Sequence, residues 1–412
     1  MSATSKNAIV TLARGLGEPV VLMTGATLTI GYGTLYYAYG VLAPAIAGEF
    51  GVGIDWFFAA FTLGLLASGI AAPLVGRRLD RHGARLVATV GSVAAAVSLA
   101  VCAASGDLWM FVVGVVLAEF ASCMVLYEAV FAGFAQLFGH AARRRMTAVT
   151  LIAGFASTIF WPLTQWLLSE FGWRQTFLIF AATHLCVCAP LYWRALRDTG
   201  PKTATDEGEA DAPGGVPVFE GAERRAALAL YTVAVCVSGI VYAAFPVHML
   251  LILRGEGFTA DAAALIAMAM GPAQVAARLA EIMAGHRFDA LTTGRVALLA
   301  LAGAIAALVL FDASTGAAIV FAALYGASQG LMTIARGTVP LQLFGPVGYA
   351  TLVGKITGLR MVVNAGAPYL FAVSTTHLGH AIAMLACLFV TLVALVTFWL
   401  LRPPRGSSVA PP

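Results

Sequence analysis

Gly76-Arg-Arg-Leu-Asp80-Arg-His-Gly83-Ala-Arg85 is a polar joint between two long apolar segments, and Gly285-His-Arg-Phe-Asp289 echoes it 209 residues later. A second pair, Gln136-Leu-Phe-Gly139 and Gln342-Leu-Phe-Gly345, recurs at an offset of 206 residues, again in joints between apolar segments. Two echoes at nearly one offset read as two copies of a single helical unit. Duplicated bundles of this kind carry a solute site at the seam between their halves, so transport is the first functional expectation.

Composition points the same way, since 60% of the residues are hydrophobic and only 11% are charged. A hydrocarbon core about 30 Å thick needs roughly 20 apolar residues per helix. By that measure the chain holds twelve spans, approximately 19–47, 56–75, 86–105, 108–138, 147–170, 175–193, 226–253, 260–284, 296–313, 316–343, 347–375 and 380–401. The expected fold is an all-α membrane protein with twelve transmembrane helices in two six-helix pseudo-repeats. Its domains are an N-terminal bundle (1–193), a linker (194–225), a C-terminal bundle (226–402) and a tail (403–412). The linker is acidic, with Gly and Pro interspersed and almost no apolar periodicity, which suits a flexible tether. Residues 1–18 show no apolar leader core, so the first span is expected to remain part of the protein.

The net charge of +4 matters less than its placement. With both termini cytoplasmic, the inner joints collect the arginines and lysines, while the outer joints hold only Arg174 and Arg254. That asymmetry orients the chain as an integral multi-pass protein of a bacterial-type inner (cell) membrane. The basic residues are spread over many short joints, not gathered on one face, which argues against nucleic-acid binding. The six cysteines fall inside spans without zinc-site or disulfide spacing, and are expected to be buried and inert. No Gly-x-x-x-x-Gly-Lys loop and no cluster at metal or nucleophile-base spacing is present, so no enzyme, cofactor or metal is expected. The expected partners are a small-molecule solute, a co-transported proton and membrane lipid, with the protein acting as a monomer.

A charge near the bilayer centre costs about 2.5–3.5 kcal/mol on insertion scales, so each intramembrane charge needs a partner, water or a task. Arg360 lies halfway along the eleventh span with Asn364 one turn on, a guanidinium fork and an amide suited to a carboxylate; an ion pair is the rival role for the arginine. Gln274, Arg278 and Glu281 share one face of the eighth span, where an internal Arg278–Glu281 pair competes with solute binding. In the fourth span Glu119 and Glu128 are nine residues apart, which on an uninterrupted helix sets them on opposite sides. Both are proton-coupling candidates, as are Glu281 and His184, although a lone helical histidine is more often a packing residue. Tyr32, Tyr36 and Tyr39 form a stripe in the first span, and Trp161 adds an aromatic surface; these suit a planar solute or serve as packing. Pro162 and Pro368 are 206 residues apart and are candidate bends in spans five and eleven.

The pattern Gly-x-x-x-Asp-Arg-x-Gly-x-Arg, carried by Gly76, Asp80, Arg81, Gly83 and Arg85 between spans two and three, resembles the signature loop of the major facilitator superfamily; Ala84 stands where a basic residue is usual. The resemblance covers nearly the whole chain. It implies that these five residues form a conformational latch, with Asp80 facing the unpaired amides that open the eleventh helix. Tyr32-Gly33-Thr34-Leu35-Tyr36-Tyr37, Ala60-Phe61-Thr62-Leu63-Gly64 and Gly172-Trp173-Arg174 weakly resemble the monocarboxylate porter and oxalate/formate exchanger branch. Span five lacks the Gly-Pro-x-x-Gly-Gly pattern of drug/proton antiporters. The expected function is therefore secondary active transport of a small organic solute, a carboxylate or other organic anion, by alternating access with proton coupling or exchange. An efflux carrier for toxic compounds and an importer of an aromatic, vitamin-like metabolite are the alternatives.

Overall fold

The computed structural model describes residues 17–197, 219, 221–284, 289–310 and 314–402, and among them every regular element is helical. In the first half these are α1 (Pro19–Tyr32), a π-helical turn (Gly33–Tyr37), α2 (Ala38–Phe50), α3 (Ile54–Ala104), α4 (Leu108–Val125), α5 (Tyr127–Phe138), α6 (Ala142–Ala153), α7 (Ala156–Thr183), a second π-helical turn (His184–Cys188) and α8 (Ala189–Ala195). In the second half they are α9 (Gly221–Gly255), α10 (Ala260–Ala267), α11 (Met270–Ala284), α12 (Ala290–Leu310), α13 (Thr315–Phe344), α14 (Tyr349–Asn364), α15 (Ala367–His377) and α16 (His380–Leu400).

Eight stretches among the described residues are long and apolar enough to cross a membrane. Two of them, Ala60–Ala104 and Ala142–Ala195, each contain two of the twelve spans. The fold-backs occur at Gly83 (φ 79°) and Gly172 (φ 76°), conformations that residues with a Cβ rarely adopt. Residues 19–50 and 349–377 form further spans, interrupted by the first π turn and by the break after Asn364. The arrangement is thus the all-α, twelve-span one expected from the sequence. Its lipid-facing character is plain in the side chains, with Ile70 74% and Trp109 72% exposed. Such apolar exposure is untenable in water but natural in hydrocarbon.

Packing divides the chain into two compact units. The first holds the described residues of 17–197 and 346–361; the second holds those of 219–345 and 362–402. In the first unit, close backbone approach replaces the missing hydrophobic drive between helices. A Cβ built on Gly76 would stand 2.3 Å from the carbonyl oxygen of Ala350, and one on Gly354 would stand 2.5 Å from that of Ala72. Gly358 meets the carbonyl of Gly69 in the same way, at 2.5 Å, so the start of α14 lies directly along the second span. In the second unit, Gly326 and Gly330 of α13 fit against the carbonyls of Met270 and Gln274 of α11, at 2.2 and 2.7 Å.

Three sequence expectations are corrected here. Span four is not one helix, because Leu126 is extended (φ −89°, ψ −160°) and separates α4 from α5. The facing deduced for Glu119 and Glu128 from a straight helix therefore does not apply. The tyrosine stripe of span one is split, with Tyr39 buried and Tyr36 45% exposed, because the intervening π turn shifts the phase of the helix. Cys186 is exposed, while the other five cysteines are buried as expected. Pro162 lies inside α7, whereas Pro368 sits in the first turn of α15, where its missing N–H is harmless.

Candidate functional site

The polar joint at residues 76–85 ends the second span, and its aspartate is directed at a helix start. Asp80 Oδ1 accepts from the amide of Ala350 (3.2 Å) and Oδ2 from that of Thr351 (2.7 Å). These are first-turn amides of α14, left without intrahelical acceptors, and the helix dipole favours an anion there. Gly76 permits the approach, and Gly83 makes the turn. Arg81 is exposed, but Arg85 stacks over the Trp193 ring with its Cζ 3.6 Å from the centroid.

The repeated glutamines hold equivalent places. Gln136 accepts from the amide of Ala84 (3.0 Å) and donates to the carbonyl of Leu79 (2.8 Å). Gln342 accepts from the amide of Ala290 (2.9 Å) and donates to Asp289 Oδ2 (3.1 Å). Ala84 and Ala290 are themselves 206 residues apart, so 206 is the structural register of the repeat. Asp289 also accepts from the Thr292 amide at 2.8 Å, capping α12. It is therefore not the counterpart of Asp80 that the 209-residue echo implied; residues 285–288 of that echo lie outside the described residues.

Arg360 is half-buried on α14, on the face that carries buried Val353 and Thr357. Among the described residues it makes no ion pair, hydrogen bond or ring contact. Asn364, on the same helix face, is buried against Gly239 of α9, and its Oδ1 has no hydrogen-bond partner. A Cβ on Gly239 would come within 2.0 Å of the Asn364 amide nitrogen, so glycine there is what admits the side chain. Arg278 is 2% exposed and is the buried residue of α11; Gln274 and Glu281 flank it, with Glu281 accepting from Thr293 Oγ1 at 3.4 Å.

In the first unit Glu119 is 2% exposed, while Glu128 is half-buried beside the helix break. Tyr32 packs on Tyr127 with ring centroids 4.8 Å apart, and Tyr36 reaches Tyr32 at 6.5 Å and Phe61 at 5.8 Å. The Trp161 side chain lies outside the described residues. His184, 1% exposed, opens the second π turn and meets Thr34 of the first, with Nε2 2.8 Å from Oγ1. The Thr34 hydroxyl donates to the carbonyl of Ile30 (2.8 Å), so His184 Nε2–H is the donor to Thr34 and Nδ1 is left as a buried acceptor. No helix-spacing rule signals two π turns that meet.

Sequence reasoning missed two clamps at the ends of the spans opposite the basic joints. Glu49, at the end of α2 and beyond the expected span, pairs with Arg174 and accepts from Trp173 Nε1 at 2.6 Å. Arg174 also donates to the carbonyl of Ser105 at 2.8 Å, tying three joints together. The hydrogen bond from Arg174, reinforced by that from Trp173, holds the Glu49 carboxyl below its usual range. In the second unit Glu256 and His380 lie 3.0 Å apart. The signal was present in Arg174 and His380, which are 206 residues apart, but their acids are not in register.

Comparison with known proteins adds three findings. The family described as Major Facilitator Superfamily matches residues 25–372. The human organic anion transporter MFSD10 (TETRAN) superimposes with a TM-score of 0.68 at 18% identity, covering 93% of this chain and 99% of that one. The proton:xylose symporter XylE, bound to 6-bromo-6-deoxy-D-glucose, superimposes with a TM-score of 0.70 at 13% identity, covering 95% and 97%. No curated protein matches the chain by sequence.

Proposed function

The chain belongs to the major facilitator superfamily and is a multi-pass membrane transporter, and from that premise we propose that it carries a small organic anion, a carboxylate foremost, by alternating access. A co-transported proton or an exchanged solute supplies the driving force. The observation that carries this reading is Arg360, a half-buried guanidinium midway along an apolar span with no carboxylate beside it among the described residues. Its cost in the membrane is offset when an anionic solute meets its planar fork. Arg278, Gln274 and Asn364 are further solute-binding candidates in the second unit. Of the two structural neighbours, one is an organic anion transporter and the other a proton symporter, which supports this reading.

Asp80 serves as a conformational latch with Gly76, Arg81, Gly83 and Arg85, holding the start of α14 to the end of the second span by two amide bonds. Asp80→Asn weakens that hold, and an engineered cysteine beside Gly354 gains reactivity toward an impermeant thiol reagent; unchanged reactivity and transport leave Asp80 a topology residue. Both termini and the 194–225 linker are cytoplasmic, in a bacterial-type inner membrane, with bundles 1–193 and 226–402 flanking the linker. The tyrosine group of Tyr32, Tyr36 and Tyr127 favours a second reading, import of an aromatic, vitamin-like metabolite. Export of toxic compounds is separated from both by the direction of counterflow in proteoliposomes.

The deciding experiment screens purified protein against mono- and dicarboxylates for thermal stabilisation, since a ligand of the folded state raises apparent stability. Stabilisers of the wild type are expected to fail with Arg360→Gln and to weaken with Arg360→Lys, whose point charge cannot reproduce the fork. Equal stabilisation of folded Arg360→Gln eliminates the arginine as the anion site.

A further inference from the structure

One carboxyl in the first unit is buried without any of the partners that a charge requires. Glu119 lies within the expected fourth span and is 2% exposed. Its side chain fills a notch in the second span, where a Cβ on Gly64 would stand 2.7 Å from Glu119 Cγ and 3.5 Å from the carbonyl of Val115. Oε2 receives only a long hydrogen bond from Ser122 (3.4 Å), because that hydroxyl makes its short bond to the Glu119 carbonyl (2.6 Å). Oε1 is buried with no hydrogen-bond partner.

Among the described residues, the titratable groups in electrostatic reach are Tyr36 and Tyr39 from span one and Cys123 on the same helix, none of them cationic. A carboxylate in such a place lacks both a countercharge and the hydrogen bonds that stabilise the anion, and buried groups of this kind neutralise instead. The other acids and the histidine differ. Glu128 is more open beside the Leu126 break, Glu281 accepts from Thr293, and His184 is bonded to Thr34 and can remain neutral without a countercharge.

We propose that Glu119 is a proton-binding site, holding its proton in this conformation and releasing it when the Gly64 notch opens to water. On release the carboxyl O–H bond breaks, its electron pair stays on the carboxylate, and the proton passes to water. The role of that proton in coupling rests on the secondary-transport reading above. The site itself does not, and neither does its test.

Infrared pH-difference spectra of the purified protein in lipid, with no solute added, detect the carbonyl stretch of a protonated, buried carboxyl. The wild type is expected to show this band at neutral pH, Glu119→Gln to lose it, and folded Gly64→Ala to keep it at a shifted frequency because a methyl crowds Cγ. A wild type without the band, or a band that persists in Glu119→Gln, overturns the assignment. If Glu119→Gln does not fold, Ser122→Ala decides: a shifted frequency supports Glu119, and an unchanged one overturns it. Since no anion takes part, failure here is distinct from failure of the Arg360 screen.

Discussion

The clamps at the ends of the two units are built on the same register and end in different chemistry. Arg174 and His380 are 206 residues apart, and each pairs with an acid that closes a helix end, Glu49 of α2 in one unit and Glu256 beside α9 in the other. A guanidinium is charged at any ordinary pH, whereas an imidazole pairs as an ion only when protonated. In the second unit Gly255 makes room for the imidazole, since a Cβ there would stand 2.8 Å from His380 Nδ1. The same divergence recurs in the interior. Glu119 and Gly64 precede Tyr325 and Met270 by 206 residues, so one helix crossing carries a carboxyl in the first unit and a phenol in the second. The two copies share a scaffold register, and the proposed proton and anion sites, Glu119 and Arg360, lie where their side chains differ.

The largest effects are expected where each unit packs helix backbone directly against helix backbone. Gly76→Val in the first unit and Gly326→Val in the second place a Cβ 2.3 and 2.2 Å from a carbonyl oxygen of the facing helix, which cannot retreat as a side-chain tip can. Each is expected to cost about 3 kcal/mol or more. Thermal unfolding in detergent checks both, and a Gly76→Val or Gly326→Val protein as stable as the wild type would overturn the close approach at that crossing.

Next come the glutamines. Gln136→Leu and Gln342→Leu each leave a part-buried amide, that of Ala84 or Ala290, without its acceptor, for a loss of about 1–3 kcal/mol. The two losses should be nearly equal, with Gln342→Leu the greater because its second bond goes to the Asp289 carboxylate, whereas that of Gln136 goes to the neutral Leu79 carbonyl. A Gln136→Leu protein as stable as the wild type would mean that the repeat is one of sequence only.

A smaller, pH-dependent effect separates the clamps. The Glu49 carboxyl titrates below the usual carboxylate range in the folded protein, first because of Arg174 and then Trp173. A folded-state value lower than the unfolded one contributes stability above the unfolded value, and that contribution disappears as pH falls through the folded value. Wild type should therefore exceed Arg174→Gln in melting temperature at neutral pH, with the gap closing on acidification. A gap that widens in acid contradicts this account.

The fold was legible because hydropathy, joint charge and the glutamine repeat all report on the membrane and on duplication, which act along the chain. The 209-residue echo misled because Asp80 and Asp289 occupy like positions in a short motif while lying three residues out of the structural register. Asp80 caps α14, and Asp289 caps α12. The candidate site was legible as a set of costly residues but not as an arrangement. Nothing at Leu126 announces a helix break, since tertiary packing and not a Gly or Pro imposes it, and the π turns shift phase without a sequence signal. Whether Arg360 or Glu119 has a partner depends on neighbours remote in sequence, which periodicity cannot supply.

The finest distinction concerns two tryptophans that share the register. Trp193 and Trp399 are 206 residues apart, and each lies under an arginine. Arg85 stacks 3.6 Å from the Trp193 centroid, within the favourable range for a cation over an indole face, while Arg295 stands 5.3 Å from Trp399. Arg295 also donates to the carbonyl of Leu401 at 2.5 Å, so it retains an anchor when its ring is removed. Trp193→Leu is accordingly expected to lower stability by about 1 kcal/mol and Trp399→Leu by about 0.5 kcal/mol, typical of cation–π contacts near a surface. The paired change Arg85→Gln with Trp193→Leu should cost less than the sum of its parts, because the two side chains stabilise through one contact. Additive losses at this pair would mean that Arg85 and Trp193 stabilise the protein through separate contacts.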